Sequence, residues 1–175
     1  YCDAGDLAHY LEQADKNRCV PEAIVYRVIS QLVLAVAKCH SENILHRDIK
    51  PGNVFLTRDG EVKLGDFGLA KQLSGDAAVA RTPMGTPLYS SPEVWHDLPY
   101  GKPADMWSLG CVLYQMLTRR TPYGARGMQM EEVYDIVKRG KYEPVPASTY
   151  GAELRDLVDA LLQRNHDAMK ALLGM

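Results

Sequence analysis

The sequence lacks the cysteine pairs of a disulfide or zinc scaffold, and it lacks a strong charge of either sign. Its four cysteines are scattered, with no C-x-x-C pair: Cys2, Cys19, Cys39 and Cys111. This spacing favours a reduced, cytosolic protein over a secreted or zinc-stapled one. A formal net charge of −2 gives no reason to expect nucleic acid as a partner. The histidines show no metal-ligand spacing.

Long apolar runs are also missing. No uninterrupted run approaches the roughly 20 residues of a membrane span, and no signal peptide opens the chain, so we expect no membrane partner. We expect a cytoplasmic location, with association with the cytoskeleton or the nucleus left open. The 175 residues correspond to one domain or a large piece of one. Because the chain begins with Tyr1 rather than Met, we expect the parent protein's N-terminus to be absent. The oligomeric state is unknown at this stage.

Hydrophobic periodicity predicts a mostly helical chain. A helix should follow the break at Gly5 and run through Ala14. The strongest pattern, Pro21 to Ser41, places apolar residues on one helix face: Ile24, Val28, Leu32 and Val36, reinforced by Val25, Ile29 and Val33. The segment 104–118 is apolar on nearly all sides, which is typical of a helix in the middle of a core. Further helices are predicted from Ser91 onward and over 130–138 and 153–163.

The stretch from Ile44 to Gly68 carries the clearest local pattern. A polar loop, His46 to Asn53, precedes two short apolar runs, 54–57 and 62–64, joined by Arg58-Asp59-Gly60. Two such runs joined by an Asp-Gly turn predict a β-hairpin. Folded back, the hairpin would bring Asp48, Asn53 and Asp66 to one edge. Two carboxylates and an amide are hard oxygen ligands, suited to Mg²⁺ with phosphates completing its shell.

The spelling of this stretch resembles a known family. His46-Arg47-Asp48-Ile49-Lys50-Pro51-Gly52-Asn53, followed by Asp66-Phe67-Gly68, is similar to the catalytic loop and metal-binding motif of eukaryotic protein kinases. The resemblance implies transfer of the ATP γ-phosphate to protein hydroxyls. It makes Asp48, Lys50 and Asn53 catalytic, with Asp48 as the base and Lys50 neutralising γ-phosphate charge. Asn53 and Asp66 would hold Mg²⁺.

Several of these residues also have an ordinary structural interpretation. Taken alone, Asn53 and Asp66 are also typical of turns, and Lys50 of a solvated surface; their joint spacing favours ligands. His46 and Phe67 are expected to be packing residues that link the loop to the metal motif. Arg47 would be an anion socket that pairs with Thr82 if this threonine is phosphorylated; the alternative for Thr82 is an unmodified loop residue.

The resemblance extends along the chain as one partial kinase domain, 1–175. The backbone at Cys2 would meet adenine, and Asp6 would reach the ribose; Asp6 could equally mark a helix start. An activation segment would span about 66–93. Within it, the stretch from Gly85 to Glu93 resembles a substrate-docking segment, and its Thr86, together with Lys50, is typical of serine/threonine kinases.

Asp105 would bond the backbone of the catalytic loop. Among kinases, the pattern is most similar to the NIMA-related group. It is carried there by Tyr1-Cys2-Asp3-Ala4-Gly5-Asp6-Leu7, Asn53-Val54-Phe55-Leu56-Thr57 and Gly85-Thr86-Pro87-Leu88-Tyr89.

Two departures bear on function. G-x-G-x-x-G, the phosphate-binding glycine pattern, occurs nowhere, so we expect a mainly α kinase-like C-terminal lobe with a small hairpin and no N-terminal lobe. Near the C-terminus, His166 follows Asn165 and Met169 stands where the family has an arginine, which would leave Glu93 without its ion-pair partner. Two hypotheses follow: a serine/threonine kinase fragment, weak or inactive alone, or a non-catalytic lobe that binds partners.

Overall fold

The computed structural model describes residues 2–14, 19–73 and 85–173, with side chains described up to Leu162. Within these ranges the chain forms six α-helices and four short strands. The helices are α1 (Leu7–Gln13), α2 (Glu22–Ser41), α3 (Pro92–Trp95), α4 (Lys102–Thr118), α5 (Met130–Arg139) and α6 (Ala152–Leu173). The strands are β1 (Ile44–Leu45), β2 (Val54–Leu56), β3 (Val62–Leu64) and β4 (Lys71–Gln72). Single 3₁₀ turns cover Pro51–Asn53, Phe67–Leu69 and Pro87–Tyr89.

Helix α4 lies at the centre of the core, as its sequence predicts. Trp107, Leu109 and Met116 are fully buried, and the helix packs against both α2 and α6. The approach to α6 is close at Gly110, where a β-carbon would lie 2.8 Å from the β-carbon of Leu161. A residue with a side chain at this position would therefore push the two helices apart.

Helix α2 is amphipathic, and most of its predicted inner face is buried: Val25, Val28, Ile29, Leu32 and Val36. The prediction was wrong for Val33, which is 38% exposed beside Leu34 at 69%, because the apolar stripe runs past the edge of the packed face. By length and composition alone α2 could cross a membrane, with a mean hydropathy of 1.3. That is weak evidence, since the core helix of a folded domain meets the same criteria and this one packs against α4 and β3.

The predicted hairpin is confirmed. Strands β2 and β3 pair antiparallel, with Val54 opposite Leu64, and the turn closes through a bond from the Thr57 amide to the Glu61 carbonyl. Gly60 takes the φ of +85° that this turn requires. The prediction of a single hairpin was nevertheless incomplete, because β1 and β4 form a second two-stranded antiparallel sheet.

The remaining helices follow their predicted positions closely. Helices α3 and α5 begin at Pro92 and Met130. Helix α6 runs beyond its predicted end at Gln163. The backbone of this extension includes Asn165 and Met169, whose side chains lie outside the described part of the structure, so the expected loss of an arginine partner there stays a prediction.

Candidate active site

Asp105 fixes the loop that carries the candidate base. This carboxylate from α4 is 2% exposed and accepts hydrogen bonds from the backbone amides of His46 at 3.0 Å and Arg47 at 2.9 Å. His40 Nε2 lies 2.8 Å from its Oδ2. The predicted bond from Asp105 to the loop backbone is therefore confirmed, and these bonds help hold Arg47 at its uncommon positive φ of 67°.

His46 joins the loop to the hairpin and to the metal motif. Its buried ring donates from Nε2 to the Gly65 carbonyl at 3.0 Å, while Nδ1 accepts from the Asp48 amide at 3.4 Å. The ring also packs edge-on against Phe67, with centroids 4.8 Å apart. The predicted packing role of His46 and Phe67 is confirmed.

Asp48 sits at the centre of a hydrogen-bonded cluster and is 7% exposed. Its Oδ2 accepts from Lys50 Nζ at 2.7 Å and from Asn53 Nδ2 at 3.0 Å. Its Oδ1 accepts from the Thr86 hydroxyl at 2.8 Å. Lys50 Nζ also donates to Thr86 Oγ1 at 2.9 Å, so Asp48, Lys50 and Thr86 form a closed ring of hydrogen bonds.

Two opposing effects set the charge state of Asp48. Burial alone would raise the pKa of this carboxyl, but hydrogen bonds from Lys50, Thr86 and Asn53, together with the Lys50 charge, outweigh burial and hold the pKa below its usual range. The group is therefore a charged carboxylate at neutral pH. It can accept a hydrogen bond, and then a proton, from a nearby hydroxyl.

Asn53 and Asp66 flank the hairpin, one residue before β2 and two residues after β3. Asn53 is 5% exposed, and its Nδ2 also donates to the Asp48 carbonyl at 2.7 Å. Its own carbonyl accepts from the Gly65 amide at 2.9 Å, one residue before Asp66. The contact of Asp48 with Asn53 forms within the loop, and the pairing of β2 with β3 places Asp66 beside the Asn53 end of the hairpin.

The side-chain oxygens of Asn53 and Asp66 are suitable ligands for a hard cation. The side-chain nitrogen of Asn53 donates to both the carbonyl and the carboxylate of Asp48. Its Oδ1 therefore points away from Asp48 and is available to bind a metal ion. Asp66 is exposed, and its backbone is in the left-handed region with φ of 58°. Its Oδ1 accepts a hydrogen bond from the Gly68 amide at 3.3 Å. The described residues hold no group of three or more His, Cys, Asp or Glu side chains suited to a metal, so phosphates or water would supply the other ligands.

Thr86 reaches Asp48 because of the glycine before it. Gly85 has a φ of +117°, and a β-carbon there would lie 2.6 Å from the Arg47 carbonyl oxygen. Only glycine allows this close approach of the docking segment to the catalytic loop. The sequence places Thr86 in a docking segment, but its direct contact with Asp48 was missed, because the two residues are 38 positions apart.

The Arg47 side chain already forms hydrogen bonds within the described structure. Its Nε donates to the Leu69 carbonyl at 2.6 Å, and its Nη1 lies 3.5 Å from the Tyr100 hydroxyl. Thr82, the predicted phosphorylated partner, lies outside the described residues. The pairing of Arg47 with a phosphorylated Thr82 stays a prediction.

The segment proposed to meet the nucleotide runs beside the hairpin. Leu56 donates its amide to the Gly5 carbonyl at 2.8 Å, and Asp6 forms a β-bridge with Phe55. The Asp6 carboxylate accepts from the His9 amide at 2.9 Å, so Asp6 is the N-cap of α1 and its helix-start interpretation is confirmed. Cys2 is partly exposed, and contacts of Cys2 and Asp6 with a nucleotide stay predictions.

Glu93 is a third buried carboxylate, after Asp48 and Asp105. The residue is 8% exposed, and among the described residues its Oε2 has no hydrogen-bond partner. Burial raises the pKa of Glu93 above its ordinary value. Because the side chains of Arg164 and Met169 lie outside the described part of the structure, the expectation that Glu93 lacks an ion-pair partner stays a prediction.

Comparison with known proteins gives consistent matches. The model of the family described as "protein kinase domain" matches residues 1–168. The chain is 42% identical to the serine/threonine-protein kinase Nek3 of Mus musculus over 165 residues, covering 94% of this chain and 32% of that protein. It is 40% identical to Nek2 of Homo sapiens over 168 residues, covering 93% and 37%. It is 41% identical to Nek1 of Mus musculus over 165 residues, covering 94% and 13%. The chain therefore spans little more than a third, at most, of these three relatives.

Proposed function

Because this chain belongs to the protein kinase domain family, with Nek serine/threonine-protein kinases among its relatives, we propose that it transfers the ATP γ-phosphate to serine or threonine hydroxyls of protein substrates. One observation carries the proposal. Asp48 is a buried, charged carboxylate held by hydrogen bonds from Lys50, Asn53 and Thr86. A carboxylate fixed in this way supports catalysis by positioning and electrostatics, which dominate phosphoryl transfer.

In this proposal each member of the cluster has one task. Asp48 orients the substrate hydroxyl and accepts its proton, which passes to a carboxylate oxygen. Lys50 stabilises negative charge on the group in transfer, and it is already oriented by its bonds to Asp48 and Thr86. Asn53 and Asp66 would hold Mg²⁺, which supplies charge neutralisation on the ATP phosphates when bound. Cys2 and Asp6 would meet the nucleoside end.

We assign residues 1–175 to one partial kinase domain, formed by the hinge and the C-terminal lobe, with the activation segment over about 66–93. The absence of G-x-G-x-x-G from the sequence supports this assignment, because that loop covers the phosphates in kinases. The chain alone would then bind ATP poorly and transfer little phosphate. A cytoplasmic site of action fits the scattered cysteines.

Regulation by phosphorylation is part of the proposal. A phosphate on Thr82 would carry a charge of roughly −2 and could pair with Arg47, which also contacts the Leu69 carbonyl in the activation segment. Phosphopeptide mass spectrometry of the active form would test this step. An active form with Thr82 unmodified would contradict it.

The central experiment measures transfer of radiolabelled phosphate from ATP by the 175-residue chain to serine, threonine and tyrosine peptides. We expect a weak signal on serine or threonine, and Asp48→Asn should reduce it by about 100-fold or more. Asp135→Asn, an exposed carboxylate on α5, is the control and should leave transfer unchanged.

Other outcomes separate the parts of the proposal. Robust Asp48-dependent transfer by this chain alone would contradict the predicted weakness. Transfer that persists in Asp48→Asn would contradict the role of Asp48. Complete absence of transfer, even at high ATP and Mg²⁺, would favour the second hypothesis, a non-catalytic lobe that binds partners.

A further inference from the structure

A groove of about 600 Å³ opens beside Asp48. One end of its lining includes Lys50 and Thr86, which both bond the Asp48 carboxylate. Its far side includes the end of α4 and the loop that follows. A peptide whose hydroxyl reached Asp48 would therefore place its neighbouring residues in this groove.

The charged side chains of the groove, called here the basic groove, are four cations and one carboxylate: Lys50, Arg119, Arg120, Arg126 and Glu12. This inventory covers the residues that the structure describes. An excess of positive charge in a cleft attracts segments of opposite charge and repels segments of like charge.

Two of the arginines can exchange their present partners at little cost. Arg126 Nη1 lies 3.8 Å from Glu12 Oε1, with the two side chains 95% and 70% exposed. Arg120 Nη1 lies 3.2 Å from Glu143 Oε2, with exposures of 75% and 73%. Solvent-exposed pairs of this kind contribute only about 0–1 kcal/mol. Carboxylates of a bound peptide could therefore replace Glu12 and Glu143.

Arg119 gives the basic groove a fixed positive charge. It ends α4 at a φ of 65°, and its Nη1 donates to the Leu11 carbonyl at 2.9 Å. Its Nε and Nη2 are buried, and no described residue bonds them. No carboxylate in the described ranges forms a salt bridge with Arg119, so none of these residues neutralises its charge. A partly buried charge is screened less by salt than an exposed one.

We propose that the basic groove selects substrates that carry acidic side chains close to the phosphorylated serine or threonine. This inference rests on the proposed kinase function and names its substrate class. Aspartate and glutamate side chains would pair with Arg120 and Arg126, and the Arg119 charge would add to the attraction. Lysine or arginine at the same places would be repelled.

The test is a binding measurement, so it does not depend on phosphoryl transfer. Fluorescence anisotropy of the 175-residue chain would use labelled peptides in which alanine replaces the acceptor and the flanking residues are all Asp, all Asn or all Lys. We expect the Asp peptide to bind most tightly and the Lys peptide least, with a difference that shrinks as salt increases. A fourth peptide, with phosphoserine flanks, tells whether the extra charge of phosphate tightens binding further.

Arginine variants localise the effect. Arg120→Gln combined with Arg126→Gln should weaken binding of the Asp peptide about three- to tenfold and leave the Asn peptide unchanged. The matched control is Lys141→Gln, an exposed cation outside the groove, which should change neither. Arg120→Glu combined with Arg126→Glu should reverse the order, so that the Lys peptide binds best. Circular dichroism would verify that each variant is folded.

Two results would overturn the inference: equal binding of the Asp and Asn peptides, or an equal effect from Lys141→Gln. The inference and the proposed function fail separately. Phosphate transfer without acidic preference would overturn only the inference, whereas acidic preference without any transfer would overturn only the proposed function.

Discussion

The candidate catalytic loop, from His46 to Asn53, and the candidate metal motif, from Asp66 to Gly68, are held in the structure in very different ways. His46, Asp48 and Asn53 are all less than 9% exposed and are bonded from α4, from the hairpin and from Thr86. In contrast, Asp66 is exposed, Phe67 is 46% exposed, and the Asp66 side chain accepts one local bond, from Gly68. The part proposed to accept the proton, around Asp48, is therefore buried and hydrogen-bonded by described residues. The part proposed to hold the metal, around Asp66, is exposed to solvent.

The largest effect should come from the anchor of the buried half. Asp105→Asn removes the charge that accepts hydrogen bonds from two backbone amides and contacts His40. The NH₂ group of Asn would place a donor against one of these donors, where the carboxylate oxygen accepted a hydrogen bond. We expect a loss of about 3 kcal/mol or more in the free energy of unfolding, measured by urea denaturation. Asp135→Asn on α5 is the control. Similar losses from both variants would mean that Asp105 does not anchor the loop.

Gly85→Ala should disturb the contact between the loop and the docking segment. The added β-carbon would meet the Arg47 carbonyl at 2.6 Å in a backbone that already has positive φ. We expect a loss of about 1–3 kcal/mol. Gly52→Ala has open space around its β-carbon and serves as the control. Equal unfolding midpoints for Gly85→Ala and the parent would show that the two segments are not held together here.

Glu93→Gln tests a buried carboxylate whose Oε2, unlike the oxygens of Asp105, has no hydrogen-bond partner among the described residues. Burial raises the pKa of Glu93, so the folded state favours the protonated form, and the cost of its charge grows as pH rises above its ordinary value of about 4.3. The variant should be more stable than the parent at pH 7, on the order of 1 kcal/mol. Thermal unfolding should show this gain vanishing below about pH 4. A loss of stability at pH 7 would reveal a partner for the Glu93 charge.

The smallest effect on stability should come from Asp66→Asn in the open half. The side chain is exposed, and Asn tolerates the same left-handed backbone, so the free energy of unfolding should change by less than about 0.5 kcal/mol. Mg²⁺-dependent ATP binding, followed by calorimetry, should weaken. A loss of stability comparable to that of Asp105→Asn would remove the contrast between the two halves.

Prediction from sequence succeeded where the signal was local. The Asp59-Gly60 turn between two apolar runs predicted the hairpin, and the 3.6-residue period predicted α2. The bond from Asp105 to the backbone of the loop from His46 to Asn53 could be predicted from the family resemblance, whereas the catalytic role of that loop stays a prediction.

Contacts between distant parts of the chain left no such signal. Strands β1 and β4 have two residues each, too few for any alternation to show. The approach of His40 to Asp105 joins positions 65 apart. The contact of Thr86 with Asp48 depends on a carbonyl–glycine approach that only the fold creates. For these contacts, neither the composition nor the hydrophobic periodicity of the sequence indicates which two residues meet.

The attachment of the catalytic loop to α4 has a consequence far from any substrate. Asp105 moves with its helix, and about one turn further along Gly110 lets that helix lie against Leu161 and Leu162 of α6. A larger side chain at Gly110 would push α4 away from α6, and Asp105 would pass this displacement to the backbone of the loop that carries Asp48. Mutations in the deep interior can thus displace Asp48 while every residue that contacts it remains unchanged.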